Sequence, residues 1–421
     1  MRFRRTGLWA HHDFLNLWAG QTVSVFGTLV GMLALQFTAV LWLDAGAIEL
    51  AILSLCGIVP PFVAGPFAGV WVDRVARRPL LIGADIGRAA LLATVPIAAV
   101  FDVLVIEQLY AVLVVTSTLS LLFTIGYEAY LPSVVGPKHL VEGNAKMSAS
   151  FSLAEIGSFG IAGWMVQLLT APGAIVLDAV SFVWSAKFLA RVKADETRAP
   201  TEAHAPPPNI WREVSEGIRT VAGNGVLRAL LIANMFTEAG SKMISVLYLL
   251  YLVDVLGFSA GVLGMIFAVG GATSLAGAWV AARPDVYRRL GPAMVVAALM
   301  RAAGTLFMPL TPGVSTLGAS SLVANQLVTD PSWMFYEIHE VSLRQSISAE
   351  AMRGRVAATM RFTGFAAALV GTGIAALAGE TIGARGGLFL GAALMAISGV
   401  AILFSPVVKL KREPVVVDVS G

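Results

Sequence analysis

Gly69-Val-Trp-Val-Asp73-Arg74-Val-Ala76-Arg77-Arg78 lies between two long apolar runs, and its reading decides the fold. A glycine four residues ahead of an acid, followed by three arginines, reads as a tight cytoplasmic turn joining two membrane helices. Gly65, Gly69 and Asp73 recur every four residues, so they share one helical face. Lacking side chains, the two glycines are expected to let a neighbouring helix approach closely. Asp73 then reaches the membrane edge, where it can cap or pair with that neighbour, while Arg74, Arg77 and Arg78 stay in the cytoplasm.

The rest of the chain has the composition this reading needs. Hydrophobic residues make up 57% of 421 and charged residues only 13%, with a mean hydropathy of +0.79. Soluble proteins carry about 25% charged residues to cover their surface. Apolar stretches of about 20 residues, each enough to cross a bilayer, recur along the whole length. The sequence therefore describes an all-α polytopic membrane protein with no room for a separate soluble domain.

A net charge of +3 and a basic balance suggest a polyanion partner only until the charges are placed. Arg2, Arg4 and Arg5 precede the first span. Later clusters are Arg74/Arg77/Arg78, Lys138/Lys146, Arg191/Lys193/Arg198/Arg212/Arg219, Arg283/Arg288/Arg289, Arg344/Arg353/Arg355 and Lys409/Lys411/Arg412. With twelve spans every cluster falls in alternate loops, and the intervening loops carry acids. That is the positive-inside pattern with both termini cytoplasmic, so the basicity orients the protein and no nucleic-acid partner is expected. Cys56 is the only cysteine, which excludes an intramolecular disulfide and C-x-x-C metal chemistry. The first apolar run, roughly Phe14 to Leu43, is too long for a cleaved leader.

Twelve spans are predicted near 14–43, 48–73, 79–103, 106–131, 144–169 and 172–191, then 226–254, 259–283, 289–310, 313–337, 353–379 and 384–405. The domains follow: a six-helix bundle over 1–192, a cytoplasmic linker over 193–224, a second bundle over 225–408 and a tail over 409–421. The linker runs through Pro206-Pro207-Pro208 to Asn209, a predicted cap for a short helix with Trp211, Val214, Ile218 and Val221 on one face. Such a helix suits the membrane surface. The halves look duplicated: Gly160-Ile161-Ala162-Gly163 matches Gly373-Ile374-Ala375-Ala376, and Gly277-Ala278-Trp279-Val280 before Arg288-Arg289 echoes the Gly69 loop.

The Gly69 segment resembles the loop motif of the major facilitator superfamily, G-x-x-x-D-(R/K)-x-G-R-(R/K), with Ala76 standing where the family has glycine. The resemblance extends through Ala129-Tyr130-Leu131-Pro132-Ser133, Leu140 to Lys146, Leu177-Asp178-Ala179-Val180-Ser181-Phe182, Leu343-Arg344-Gln345 and Arg353-Gly354-Arg355-Val356. These segments are similar to the macrolide-efflux and enterobactin-exporter-like, drug:proton antiporter branch. The resemblance implies twelve transmembrane helices in two six-helix bundles, a substrate site between them near the midplane, and alternating access. It also implies that the first, fourth, seventh and tenth spans line a central cavity. Ser158-Phe159 occupies the place where exporter relatives carry Gly-Pro, and Thr28 a place near which relatives often carry an acid.

A charge at a helix centre costs about 2.5–3.5 kcal/mol on insertion scales, so each one needs a partner or a watery cavity. Glu155 follows Ser148 and Ser152 along the fifth span and reads either as a proton carrier or as a hydrogen-bonded packing residue. Asn234, Glu238, Lys242 and Ser245 rise along one face of the seventh span. Glu238 and Lys242, four apart, read either as a self-neutralising pair or as a cavity pair that a substrate or proton rearranges. Gln326, Asp330, Trp333 and Glu337 share a face of the tenth span, and Gln21, Ser24, Thr28 and Gln36 a broad face of the first. Met32 and Trp333 add thioether and aromatic surface. Asp85 and Arg88, one turn apart, are expected to pair and to serve gating or bundle stability, as do Arg353 and Arg355; Asp178 is expected to tie helix to helix. Glu128 reads as an interface anchor or a further proton-coupling group.

No G-x-x-x-x-G-K-[ST] loop, H-E-x-x-H helix or G-x-S-x-G turn occurs, so no cofactor, metal or enzymatic chemistry is expected. The expected activity is export of an amphipathic small molecule, drug-like or siderophore-like, by proton antiport across a bacterial cytoplasmic membrane by a monomer. Uptake by proton symport and a non-transporting scaffold or sensor of the same fold remain the alternatives.

Overall fold

A computed structural model describes residues 7–72, 74–194, 210–283 and 289–410. Among the described residues there are thirteen α-helices and no strand. The first six are α1 (His12–Trp42), α2 (Ala47–Val72), α3 (Arg77–Val100), α4 (Ile106–Val135), α5 (Leu140–Leu169) and α6 (Ala171–Leu189). A shorter helix, α7 (Ile210–Gly223), precedes α8 (Gly225–Leu250), α9 (Ala260–Ala281) and α10 (Leu290–Thr305). The last three are α11 (Thr316–Ile347), α12 (Arg353–Thr381) and α13 (Gly383–Leu403).

Nine of these helices are long and apolar enough to cross a membrane, ten when α5, bent by 49°, counts as one span. The other two predicted spans are α10, which is apolar but short, and α11, which is 32 residues long but carries Asp330, Glu337, Glu340 and Arg344. With them the number reaches the twelve read from the sequence. Short polar side chains start several helices by accepting the first free N–H groups. Asn224 accepts from Val226 at 2.9 Å and Leu227 at 3.2 Å ahead of α8. Ser315 accepts from Gly318 at 3.0 Å ahead of α11.

The contacts divide the chain into two units: α1 to α6 with Ser259–Ala268 at the start of α9, and the remainder. Within the first unit α1 packs on α6 and α5, while α3 packs on α4 and α6. Within the second, α8 packs on α13 and α12, while α10 packs on α11 and α13. These four pairings correspond one to one between the units, as a duplication requires. Each unit has a core cluster of its own. One gathers Leu17, Leu81, Phe123, Tyr130, Val134 and Leu189, the other Leu230, Leu290, Met294, Phe335, Leu343 and Met360.

A close helix approach in the first unit is made by glycines other than those the loop motif suggests. A Cβ on Gly31 of α1 would sit 2.7 Å from Cγ and 2.8 Å from Cβ of Asp178 on α6, and one on Gly27 would overlap Ser181. Spaced four apart, these two glycines make the groove that receives the polar face of α6. Gly65 and Gly69, expected to admit a neighbouring helix, do not among the described residues: a Cβ on either meets none of their atoms within 4 Å. Their spacing sets a shared face, and that face is open. Ala76 has φ −67°, a value any residue adopts, so its replacement of glycine costs the turn no strain.

The helix expected after the linker is α7, which packs on α12. Its Val221 is buried in the second core, while Ile218 is exposed. The side chains of Trp211 and Val214, the cap Asn209 and linker residues 195–208 lie outside the described residues.

Candidate functional site: buried charge in two helical units

Two arginines of the Gly69 loop bond backbone carbonyls of other helices. Arg77 Nη1 donates to the Ala129 carbonyl of α4 at 2.9 Å. Arg78 Nε donates to the Leu189 carbonyl at 3.2 Å, and Nη2 to that of Ala190. These last two are terminal carbonyls of α6, past its last i→i+4 bonds, and they carry its negative dipole end; that of Leu189 also accepts from the Val192 N–H at 3.2 Å. A guanidinium there binds by charge and by geometry together. Arg74 is exposed, and Asp73 lies outside the described residues. In the second half Arg353 Nε donates to the Gln345 carbonyl near the end of α11 at 3.1 Å. Arg355 pairs with Glu216 of α7 at 2.7 Å.

Deeper in the first unit, Asp85 and Arg88 form the ion pair that their spacing on α3 predicts. The guanidinium is held between two rings, 4.5 Å from the Phe123 centroid on α4 and 4.0 Å from that of Phe182 on α6. Its Nη1 also donates to Ser120 Oγ at 3.2 Å. Asp178 of α6 joins the group: it lies within the charge field of Arg88 and Asp85, with the hydroxyls of Ser181 and Thr28 beside it. Asp85 is 0% exposed, Asp178 4% and Arg88 5%. Two carboxylates thus share one guanidinium out of water, where each uncompensated ion costs several kcal/mol. Thr28, read from the sequence as a cavity residue, belongs to this cluster.

The second unit has a related group that the sequence reading missed. Arg301 is the twelfth residue of α10, as Arg88 is of α3, and these helices hold corresponding places in the two pairing schemes. Its Nη2 donates to Ser241 Oγ of α8 at 3.0 Å. Glu238, Glu337 and Asp330 act on its charge. A single arginine inside the apolar run Val295–Ala303 was the signal that could have found it. Glu238 and Lys242 feel one another's charge, yet among the described residues no ion pair joins them.

The other candidates are placed as follows. Asn234 Nδ2 donates to the Met360 carbonyl of α12 at 3.4 Å. Gln326 is buried, and its amide and the Asp330 carboxylate press on Gly270 of α9. Trp333 and Lys242 are half-buried. Gln21 is half-buried, with its Oε1 enclosed and without a hydrogen bond. Met32 is exposed. Glu155 is half-buried on α5, and Glu128 is exposed at the end of α4. Ser158, in the Gly-Pro position of relatives, back-bonds to the Ala154 carbonyl one turn earlier, a contact that favours helix bending without proline. Among the described residues no group of three His, Cys, Asp or Glu side chains is placed to hold a metal ion.

Comparison with known proteins gives this arrangement a context. The sequence profile of the Major Facilitator Superfamily matches residues 16–335. Macrolide efflux protein A of Streptococcus pyogenes is 28% identical over 222 residues, 52% of this chain and 53% of that protein. The multidrug efflux pump Tap of Mycolicibacterium fortuitum is 29% identical over 224 residues, 50% and 53% of the two chains. The chain thus matches about half the length of these relatives. Among solved structures, a bacterial homologue of the iron transporter ferroportin in an inward-facing state aligns with TM-score 0.70 and 18% identity, covering 93% of this chain and 98% of that one. The nucleoside transporter NupG aligns with TM-score 0.71 and 12% identity over the same shares. At these identities the structures share the fold.

Proposed function

The chain belongs to the major facilitator superfamily, and we propose that it exports an amphipathic small molecule, drug-like or siderophore-like, across a bacterial cytoplasmic membrane by proton antiport. The observation that carries this reading is ionisable chemistry inside apolar helices in both units, in a chain whose relatives include two named efflux proteins. Intramembrane carboxylates suit the carriage of protons. Glu155, Glu238, Asp330 and Glu128 are the groups proposed to exchange them. Gln21, Thr28, Met32, Asn234, Lys242, Gln326 and Trp333 are proposed to face the cargo.

In this reading the bundles over 1–192 and 225–408 act as the two moving bodies of alternating access, with 193–224 as linker and 409–421 as tail. Protonation would favour one access state and cargo the other, each shifting the equilibrium by its differential affinity. Gly69, Asp73, Arg74, Arg77 and Arg78, the Asp85–Arg88 pair, and Arg353 with Arg355 are assigned to gating. Both termini are placed in the cytoplasm by the positive-inside distribution, and the working form is a monomer.

The test is expression in a host lacking its own drug exporters, screened against macrolides, other amphipathic drugs and siderophores. The expected result is resistance or lowered accumulation for at least one compound. That phenotype should be abolished by an uncoupler and lowered by Glu155→Gln or Asp330→Asn. Uptake of a nutrient stimulated by the same proton gradient would replace export with symport.

A further inference from the structure

The cluster on α3 and α6 holds an imbalance that packing alone does not explain. Asp85 and Arg88 already neutralise one another. Asp178 is a second carboxylate, almost as deeply enclosed, with no second base. The surroundings supply no missing charge: α4 adds the Ser120 hydroxyl and the Phe123 ring. α1 adds the Thr28 hydroxyl and the bare backbone of Gly27 and Gly31, and α6 itself adds Ser181 and Ser185. Glu155, on the α5 helix that also packs against α6, stands apart from both aspartates. Among the described residues, the charges acting on Asp178 are those of Arg88 and Asp85.

The hydrogen bonding in the cluster is also incomplete. Arg88 Nε is enclosed and closes no hydrogen bond, and Asp85 Oδ2 and Ser185 Oγ have one another for a contact but close none of normal geometry. Buried polar atoms are rarely left this way, and such exceptions call for an explanation. The missing charge is a single positive one, and the space is already filled by packed side chains. A proton fits both conditions.

We propose that Asp178, with Asp85 and Arg88, forms a proton-binding site in the first unit that holds one exchangeable proton. Asp85 is committed to Arg88, so the proton sits on Asp178. Its carboxyl can then donate to a neighbouring hydroxyl oxygen, that of Thr28 or Ser181. Release of the proton leaves a second anion for Arg88 to turn toward. Gly27 and Gly31 hold α1 against this carboxyl, so the charge of Asp178 bears directly on the α1–α6 contact. The use of this proton in transport rests on the antiport reading; its binding does not.

Infrared spectroscopy of the purified full-length protein counts buried protonated carboxyls by their carbonyl stretch, which shifts in D2O. Other enclosed acids contribute bands of their own, so each variant is read as a difference spectrum against the wild type. Asp178→Asn leaves a neutral Asp85–Arg88 pair, and Asp85→Asn leaves a neutral Asp178–Arg88 pair, so each should lose one protonated carboxyl that titrates reversibly with pH in the wild type. Arg88→Gln leaves two carboxyls and no base, so it should gain one. The two Asn variants keep the cluster neutral and should fold, as gel filtration would verify. Difference spectra that show no loss in the two Asn variants would overturn the proposal. Because no substrate is involved, a failure here is separate from a failure of antiport, which flux measurements report.

Discussion

Replacing Gly31 by alanine should destabilise the protein, whereas the same change at Gly65 or Gly69 should not. All three lie on apolar helices and belong to glycine pairs spaced four apart, so the sequence alone treats them as equivalent. A methyl group at Gly31 would stand 2.7 Å from Cγ and 2.8 Å from Cβ of Asp178, well inside van der Waals contact. Asp178 is held by packing on all sides, so α1 and α6 must separate or the carboxyl must leave its rotamer. Overpacking of this kind costs about 1–3 kcal/mol. At roughly 2–4 °C per kcal/mol for a body of 150–250 residues, the apparent melting midpoint should fall by about 2–12 °C. At Gly65 and Gly69 no atom of the described residues lies within 4 Å of such a methyl group. Alanine there removes the flexibility of glycine within a helix and should be neutral or stabilising by about 0.5–1 kcal/mol. The assay is thermal unfolding in detergent, followed by the recovery of monodisperse protein. A Gly31→Ala midpoint equal to or above the wild type, or a Gly65→Ala loss as large, would refute the packing argument.

Further outcomes follow from the same contacts. Arg78→Ala removes two charge-assisted bonds to the end of α6 and should cost about 1.5–3 kcal/mol; Arg74→Ala, at an exposed position, should leave the melting midpoint within a degree or two. The Arg355–Glu216 pair is partly exposed, so a double-mutant cycle should return a coupling of only about 0.2–1 kcal/mol that fades with added salt. Arg301→Met strips a guanidinium that acts on Glu238, Glu337 and Asp330; it should lower export at least tenfold in protein that still elutes as a monodisperse peak on gel filtration. Retention of full export would remove this group from the mechanism.

Much of the fold was legible because a membrane span announces itself within one segment. Composition, run length and loop charge need no partner to be read. The site was legible only as far as it lay along one helix. Asp85 and Arg88 were paired from their spacing, whereas the arrival of Asp178 depends on how α6 seats against α1 and α3. Arg301 was passed over because its neighbours lie on α8 and α11, with none on its own helix. The glycines show the limit most clearly. Gly65 and Gly69 drew notice through the loop motif, while Gly27 and Gly31, with the same spacing, carry the close contact. A four-residue period says that two residues share a face, and only the packed structure says what that face meets. Ala76 is the reverse case: the departure from the family pattern is harmless because the backbone there has negative φ.

The central claim is that cargo leaves the cytoplasm in exchange for protons. It is tested most directly in everted membrane vesicles, with cargo and pH followed together under an imposed gradient, acid inside. The expected result is cargo accumulation within the vesicles accompanied by proton efflux, both collapsing when an uncoupler is added. Accumulation that survives the uncoupler, or cargo and protons moving in the same direction, would contradict it.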